Sequence, residues 1–349
     1  MPTIKDVAHH CGVSIATVSA VINDADWVPH STRARVMEAI RALNYRPNRL
    51  AQSLKTRRSF TVGVIVSDIT NPFYTDIVRS LSHELRKHER SLVLCDSNHS
   101  FQIGEENYRM LLEKQVDAVV LIGDCVRKED VEEFVTENPQ MPVVAIERDY
   151  GIEGITKLLV DSEQGAFDAT MHLIEQGFTR IGMISGPLTG PGSRSYGRLN
   201  QYRGFRRALQ VGGVEFDSRF VVDGDFRFSG GQTAMRRLLK FADPPEAVFA
   251  ANDLMALGAM EVARSAGLRI PNDLAIIGYD DIPIAAHTSP PLTTMAIPKT
   301  EIGNAAAHEL LRHLESERPV GPVRRIFAAR LIVRESAIFR LQERLERAS

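Results

Sequence analysis

The 349-residue sequence contains only three cysteines, Cys11, Cys95 and Cys125, with no Cys-x-x-Cys pair and no metal-ligand grouping. Neither a disulfide framework nor a metal centre is expected, and a reducing cytoplasm suits such a chain. No apolar run reaches the roughly 18 residues a membrane helix needs. The opening "MPTIKDVAHH" puts charge and histidines where a leader would need an apolar segment, so a soluble cytoplasmic protein is expected. Enzyme signatures are missing as well: no G-x-G-x-x-G follows the first strand, and there is no P-loop and no G-x-S-x-G elbow. Asp280 and Asp281 could imitate a catalytic acid pair, but neighbours on an extended strand point in opposite directions. No catalytic residue and no cofactor is therefore assigned.

What is present is enough apolar material, 44% of residues, to fill two or three packed units. Charge is unevenly spread. Residues 1–60 hold nine Lys/Arg against four Asp/Glu, whereas the remainder holds 33 against 40. A basic head on an acidic body fits a head that meets a polyanion, and equally a solvated surface of no special purpose.

The stretch "TIKDVAHHCGVSIATVSAVIN" separates these readings further. Thr3 can cap a helix whose inward face is Ile4, Val7, Ala8 and Cys11. Gly12 supplies the positive φ that ends it. Ser14 caps a second helix carrying Ile15, Val18, Val21 and Ile22. Two short helices about a glycine turn form the motif that sets its second helix in the DNA major groove, although spacing alone also suits a small ligand-free bundle. Ser14, Ala16, Thr17 and Ser19 are small enough for close approach to phosphates, with hydroxyls to donate. A third helix is expected over Ser31–Leu43, with Val36, Ile40 and Leu43 inward and Arg33, Arg35 and Arg41 outward.

Together with "LNYRPNRLAQSLKTRRS", this stretch resembles the headpiece and hinge of the lactose-repressor/purine-repressor family of bacterial transcription regulators, and the resemblance runs through nearly the whole chain. It implies a non-enzymatic repressor that binds a near-palindromic operator as a homodimer under control of a small polar effector. It also implies DNA contacts from Thr3, Ser14, Ile15, Ala16, Thr17, Ser19, Ala20, Asn23 and Thr32. Pro47 blocks continuation of the third helix. Residues 46–59 then form a short hinge helix and linker, in which Asn48 caps, Ala51 permits close pairing and Leu54 wedges into the minor groove beside Lys55, Arg57 and Arg58. Relatives often carry arginine where Ala20 stands, so long-range polar base readout from the second helix is small.

From Phe60 onward, Val/Ile/Leu-rich strands alternate with helix-length segments, the pattern of α/β parallel sheets covered on both faces. Near Asp161 the pattern restarts. The expected organisation is a headpiece at 1–45, a hinge at 46–59 and a core at 60–349. The core reads as two doubly wound subdomains, one of about 60–160 plus 293–322 and one of about 161–292 plus 323–345. The resemblance likens this core to periplasmic sugar-binding proteins, which keeps a solute-binding transport protein as the alternative. Many strands end in Asp, Asn or Ser, and ligands bind outside the carboxyl ends of such strands. Phe73, Tyr74, Glu147, Phe226, Asn252 and Asp280 are the candidate effector residues on this ground and by resemblance. Helix capping is assigned to Asp253 more readily than to Asn252. The family's effector-binding arginine falls on Gln201, which favours a neutral carbohydrate, whereas Arg198 or Arg203 reaching in through the longer loop would suit an acidic or phosphorylated ligand. The helix "NPFYTDIVRSLSHELRKH" offers Ile77, Leu81 and Leu85 as a dimer stripe.

Overall fold

The computed structural model describes residues 2–22, 24–45, 58–187, 196–316 and 318–338, with Tyr196 and Arg198 described by backbone alone. Two units result, Met1–Ser59 and Phe60–Ser349. The expected Asn23, Asn48, Ala51, Leu54, Lys55 and Arg57 positions lie outside the described residues.

In the first unit α1 (Ile4–Cys11) starts on a reciprocal cap: Thr3 Oγ1 accepts from the Asp6 amide while Asp6 takes the Thr3 N–H at 2.7 Å. Such a cap contributes about 1 kcal/mol. Gly12, at φ 64°, turns the chain into α2 (Ile15–Ile22), where the Thr17 amide donates to Ser14 Oγ at 3.0 Å. α3 (His30–Ala42) begins one residue earlier than expected. Val7, Cys11, Val18, Val21, Val36 and Ala39 close a small core between the three helices. Arg33 does not face outward freely. Its guanidinium pairs with Asp24 and donates to the Ala25 carbonyl at 2.8 Å, pinning the turn before α3.

The second unit contains two six-stranded sheets. In the first, β1 (Thr61–Val66), β2 (Ser91–Asp96), β3 (Ala118–Ile122), β4 (Val143–Ile146), β5 (Thr156–Val160) and β11 (Arg324–Phe327) lie in the order β2-β1-β3-β4-β5-β11, all parallel. The second repeats the plan with β6 (Ile181–Ser185), β7 (Val221–Asp223), β8 (Ala247–Ala250), β9 (Ala275–Asp280), β10 (Thr293–Ala296) and β12 (Arg330–Ile332), ordered β7-β6-β8-β9-β10-β12. Only β12 runs antiparallel to its neighbour. Strands such as Ala118–Ile122 are buried along their whole length, as sheets covered on both faces require.

Helices fill the crossovers: α4 (Pro72–Lys87), α5 (Phe101–Glu113), α6 (Lys128–Glu137), α7 (Ser162–Glu175), α8 (Tyr196–Val211), α9 (Phe228–Leu238), α10 (Asp253–Ser265) and α11 (Lys299–Glu315). The chain passes between the sheets three times, after β5, after β10 and after β11. This corrects the expected subdomain limits. Thr293–Ala296 belongs to the second sheet, and α11 then packs on α4 of the first. Arg324–Phe327 belongs to the first sheet, because β11 pairs with β5. The expected dimer stripe is corrected too. Ile77, Leu81 and Leu85 are fully buried in the core of the unit, and α11 packs closely on the same helix, where a Cβ on Gly303 would lie 2.5 Å from the Ile77 carbonyl.

Candidate ligand cleft and nucleic-acid interface

In both sheets the strand order reverses beside the first strand, and the carboxyl ends of β1, β3, β4, β8 and β9 open on one cleft of about 640 Å³, counting its mouth. This is where an open doubly wound sheet leaves a crevice. Phe73, Tyr74, Glu147, Gln201, Phe226, Asn252 and Asp280 all line it. Arg198, whose side chain is outside the description, is the one candidate not placed. Ser67, Asn71, His99, Gly123, Asp124, Ser162, Gly197, Ala251 and Tyr279 also line the cleft and had not been singled out for it. Ser67 and Asp124 followed the same strand-end rule. His99 carries no such signal, lying three residues past the end of β2.

Asn71 caps α4 by accepting from the Phe73 amide at 3.0 Å, which sets Phe73 and Tyr74 in the first turn, ring edge to ring face at 5.2 Å. Asn252, not Asp253, caps α10: its Oδ1 accepts from the Met255 amide at 2.9 Å and its Nδ2 donates to the Phe226 carbonyl at 2.8 Å. Asp253 points into the protein instead. Its carboxylate accepts from Thr294 Oγ1 at 2.5 Å and from the Ile282 amide at 2.8 Å, tying α10 to β10 and to the turn after β9. Capping went to Asn252 because the residue before the first helical one is the half-extended position that has a side chain to spare. Gln201 is buried and donates to the Ala251 carbonyl at 3.1 Å.

Carboxyl groups dominate the cleft electrostatics. Glu147 has one oxygen buried without a hydrogen-bond partner, and burial, reinforced by Asp124, pushes it up to about 7. Burial and then Asp253 hold Asp280 well above the usual carboxylate range, against the pull of Lys299. Asp253 is pushed up to about 7 by burial. Arg148 compensates Asp124 at 3.0 Å, while Lys299 Nζ donates to the Asp280 and Asp281 carbonyls. Among the described lining residues there is neither lysine nor arginine. Glu147, Phe226 and Asp280 all have positive φ, at 65°, 63° and 112°. Non-glycine residues held there store strain of about 1–3 kcal/mol each, of the kind that gathers at ligand sites. Carboxyl and amide groups of this sort suit hydroxyl recognition.

In the helical unit, Ile15 is 44% exposed and Ala16 beside it is exposed, so the start of α2 is open to a partner. Ser14 and Thr17 hydroxyls lie 2.8 Å apart, and Thr3 is engaged with Asp6. Ser19 and Thr32 are half-buried. Ala20 packs partly on the helical core, which adds a steric reason for its small reach.

Comparison with known proteins agrees with this picture. Residues 3–48 match the family described as bacterial regulatory proteins, lacI family, and residues 170–337 match a periplasmic binding protein-like domain. The ribose operon repressor of Escherichia coli (strain K12) is 38% identical over 317 residues, covering 90% of this chain and 93% of that protein. Among solved structures, a transcriptional regulator CelR–cellobiose complex superposes with a TM-score of 0.72 at 35% identity, covering 96% of this chain and 100% of that one. The Lac repressor dimer bound to operator and the anti-inducer ONPF gives a TM-score of 0.82 at 25% identity, covering 97% and 99%. A helix-turn-helix unit, a doubly wound core and this likeness over nine-tenths of the chain have one meaning: the protein belongs to the lacI family of bacterial regulatory proteins and is a transcriptional repressor, not an enzyme.

Proposed function

We propose that the chain binds a near-palindromic operator in the cytoplasm as a homodimer, and that a small polyhydroxylated effector, a neutral sugar or sugar derivative, sets its DNA affinity from the cleft between the two sheets. The observation carrying this reading is the cleft itself: carboxyl and amide groups from both subdomains converge on it, and no described lining residue is a lysine or an arginine. The CelR structure, a cellobiose complex, supports a carbohydrate of some kind. A ligand touching both halves favours one relative setting of the subdomains, and so biases the spacing of two DNA-binding heads. For the dimer, the buried stripe on α4 is replaced by a groove beside edge strand β2, lined by Ile69, Val78, Leu92 and Leu94 with Arg79 and Arg86. Ile69 there is 41% exposed.

Thermal unfolding of the full chain against ribose, cellobiose, sugar acids and nucleobases tests this. A true ligand at a hundred times its Kd adds about 2.7 kcal/mol of stability. Asp280→Asn keeps the shape and the tolerance of positive φ while removing a buried ionisable carboxyl. We expect it to melt no lower than the wild type, to lose the ligand shift and to keep DNA binding. A shift produced only by anionic ligands, or one untouched in Asp280→Asn, would defeat the neutral-sugar reading.

A further inference from the structure

The two lips of the cleft touch at its mouth. On the first subdomain these are Asp68, just after β1, and Asn98 and His99, just after β2. On the second they are Phe226 and Arg227, between β7 and α9. The Arg227 guanidinium reaches across, donating to Asn98 Oδ1 at 2.5 Å, with Nε 3.8 Å from Asp68 Oδ2. Directly inside, the rings of His99 and Phe226 face each other at 6.5 Å and 22°, both on the cleft wall.

Both anchors are held in place before they meet. Asp68 is buried, and its other oxygen takes the Thr70 amide and hydroxyl at 2.8 and 2.6 Å. Asn98 and His99 sit at φ 50° and 58°, with the His99 amide donating to the Ser67 carbonyl at 2.7 Å. Opposite, the Arg227 amide donates to Asp225 Oδ1 at 2.9 Å, and the Phe226 carbonyl is tied to Asn252 on the cleft floor. A long arginine, 42% of its side chain exposed, thus bridges two lips that are each held by their own hydrogen bonds.

We propose that Arg227 straps the two lips of the cleft together, so that a ligand enters or leaves only when the Arg227 contacts with Asn98 and Asp68 break. Asn252 is then a positioning residue, because it carries the strap's base on the same side chain that caps α10. The strap is defined without a ligand, so its failure would leave the effector reading intact.

Hydrogen exchange of the full, ligand-free chain tests the strap. In Arg227→Ala, peptides covering 97–104 on the opposite lip should exchange about two- to five-fold faster, the range expected for losing one partly exposed charged contact. Peptides covering 223–228 should follow. Asn98→Asp, which tolerates the same backbone and offers a charged acceptor, should slow both lips. The double variant should match Arg227→Ala alone. Should Arg227→Ala raise exchange throughout the chain, Arg227→Gln reads the same two lips with a milder change. Faster exchange confined to 223–228, or a double variant that keeps the Asn98→Asp protection, would overturn the proposal.

Discussion

Glu147 shows how much a single side chain in this cleft can do. Its carboxyl is raised by burial to about 7, so between the ordinary glutamate range and neutrality the folded protein holds a proton that the unfolded chain releases. Stability from this group is full at low pH, falls as pH rises through that window, and stays low above it. Asp253, also raised to about 7, has the same sign. Glu147→Gln should therefore flatten the pH profile of thermal unfolding between pH 5 and 8, and should raise stability at pH 8 by at most roughly 3 kcal/mol. An unchanged profile would mean that the carboxylate is solvated in the free cleft. At this scale most of the site was legible, because strand-end polar residues and the aromatics after "NP" are local patterns. The Asn252 and Asp253 roles were not. Both are helix-start residues, and only the approach of Thr294 and the Ile282 amide decides which one turns inward.

Elements were read well where apolar runs were long. The Val/Ile/Leu-rich strands expected from Phe60 onward are present as β1–β10, but β11 and β12 carry no such signal. Each is an edge strand of four or three residues starting with arginine, and no alternation survives over so short a length. The expected dimer stripe failed for a related reason: a 3.6-residue apolar period marks a buried face without naming what buries it, and here the unit's own core does. Close helix approach is again set by a glycine where α7 meets α8. A Cβ on Gly204 would lie 2.0 Å from the Glu163 carbonyl, so the two helices cannot keep their distance with any larger residue. Gly204→Ala should destabilise the core by about 1–3 kcal/mol or more, read by urea unfolding of the full chain. A loss below half a kcal/mol would mean that α8 shifts freely.

At the scale of the whole molecule, the basic excess within residues 1–60 and the acidic balance of the remainder divide the work between the two units. Affinity for duplex DNA should fall with salt at a log–log slope of about −0.9 per neutralised phosphate, measured by fluorescence anisotropy; a flat dependence would remove phosphate contact from the account. On the proposed reading, a change of subdomain setting would have to be absorbed in the chain's three passages between the sheets. The central claim is that a two-fold assembly reads two half-sites, and selection from random-sequence duplexes with the full chain tests it most directly. The account predicts an enriched two-fold symmetric site with half-sites about one helical turn apart. Enrichment of a single asymmetric half-site, or of no sequence at all, would contradict it.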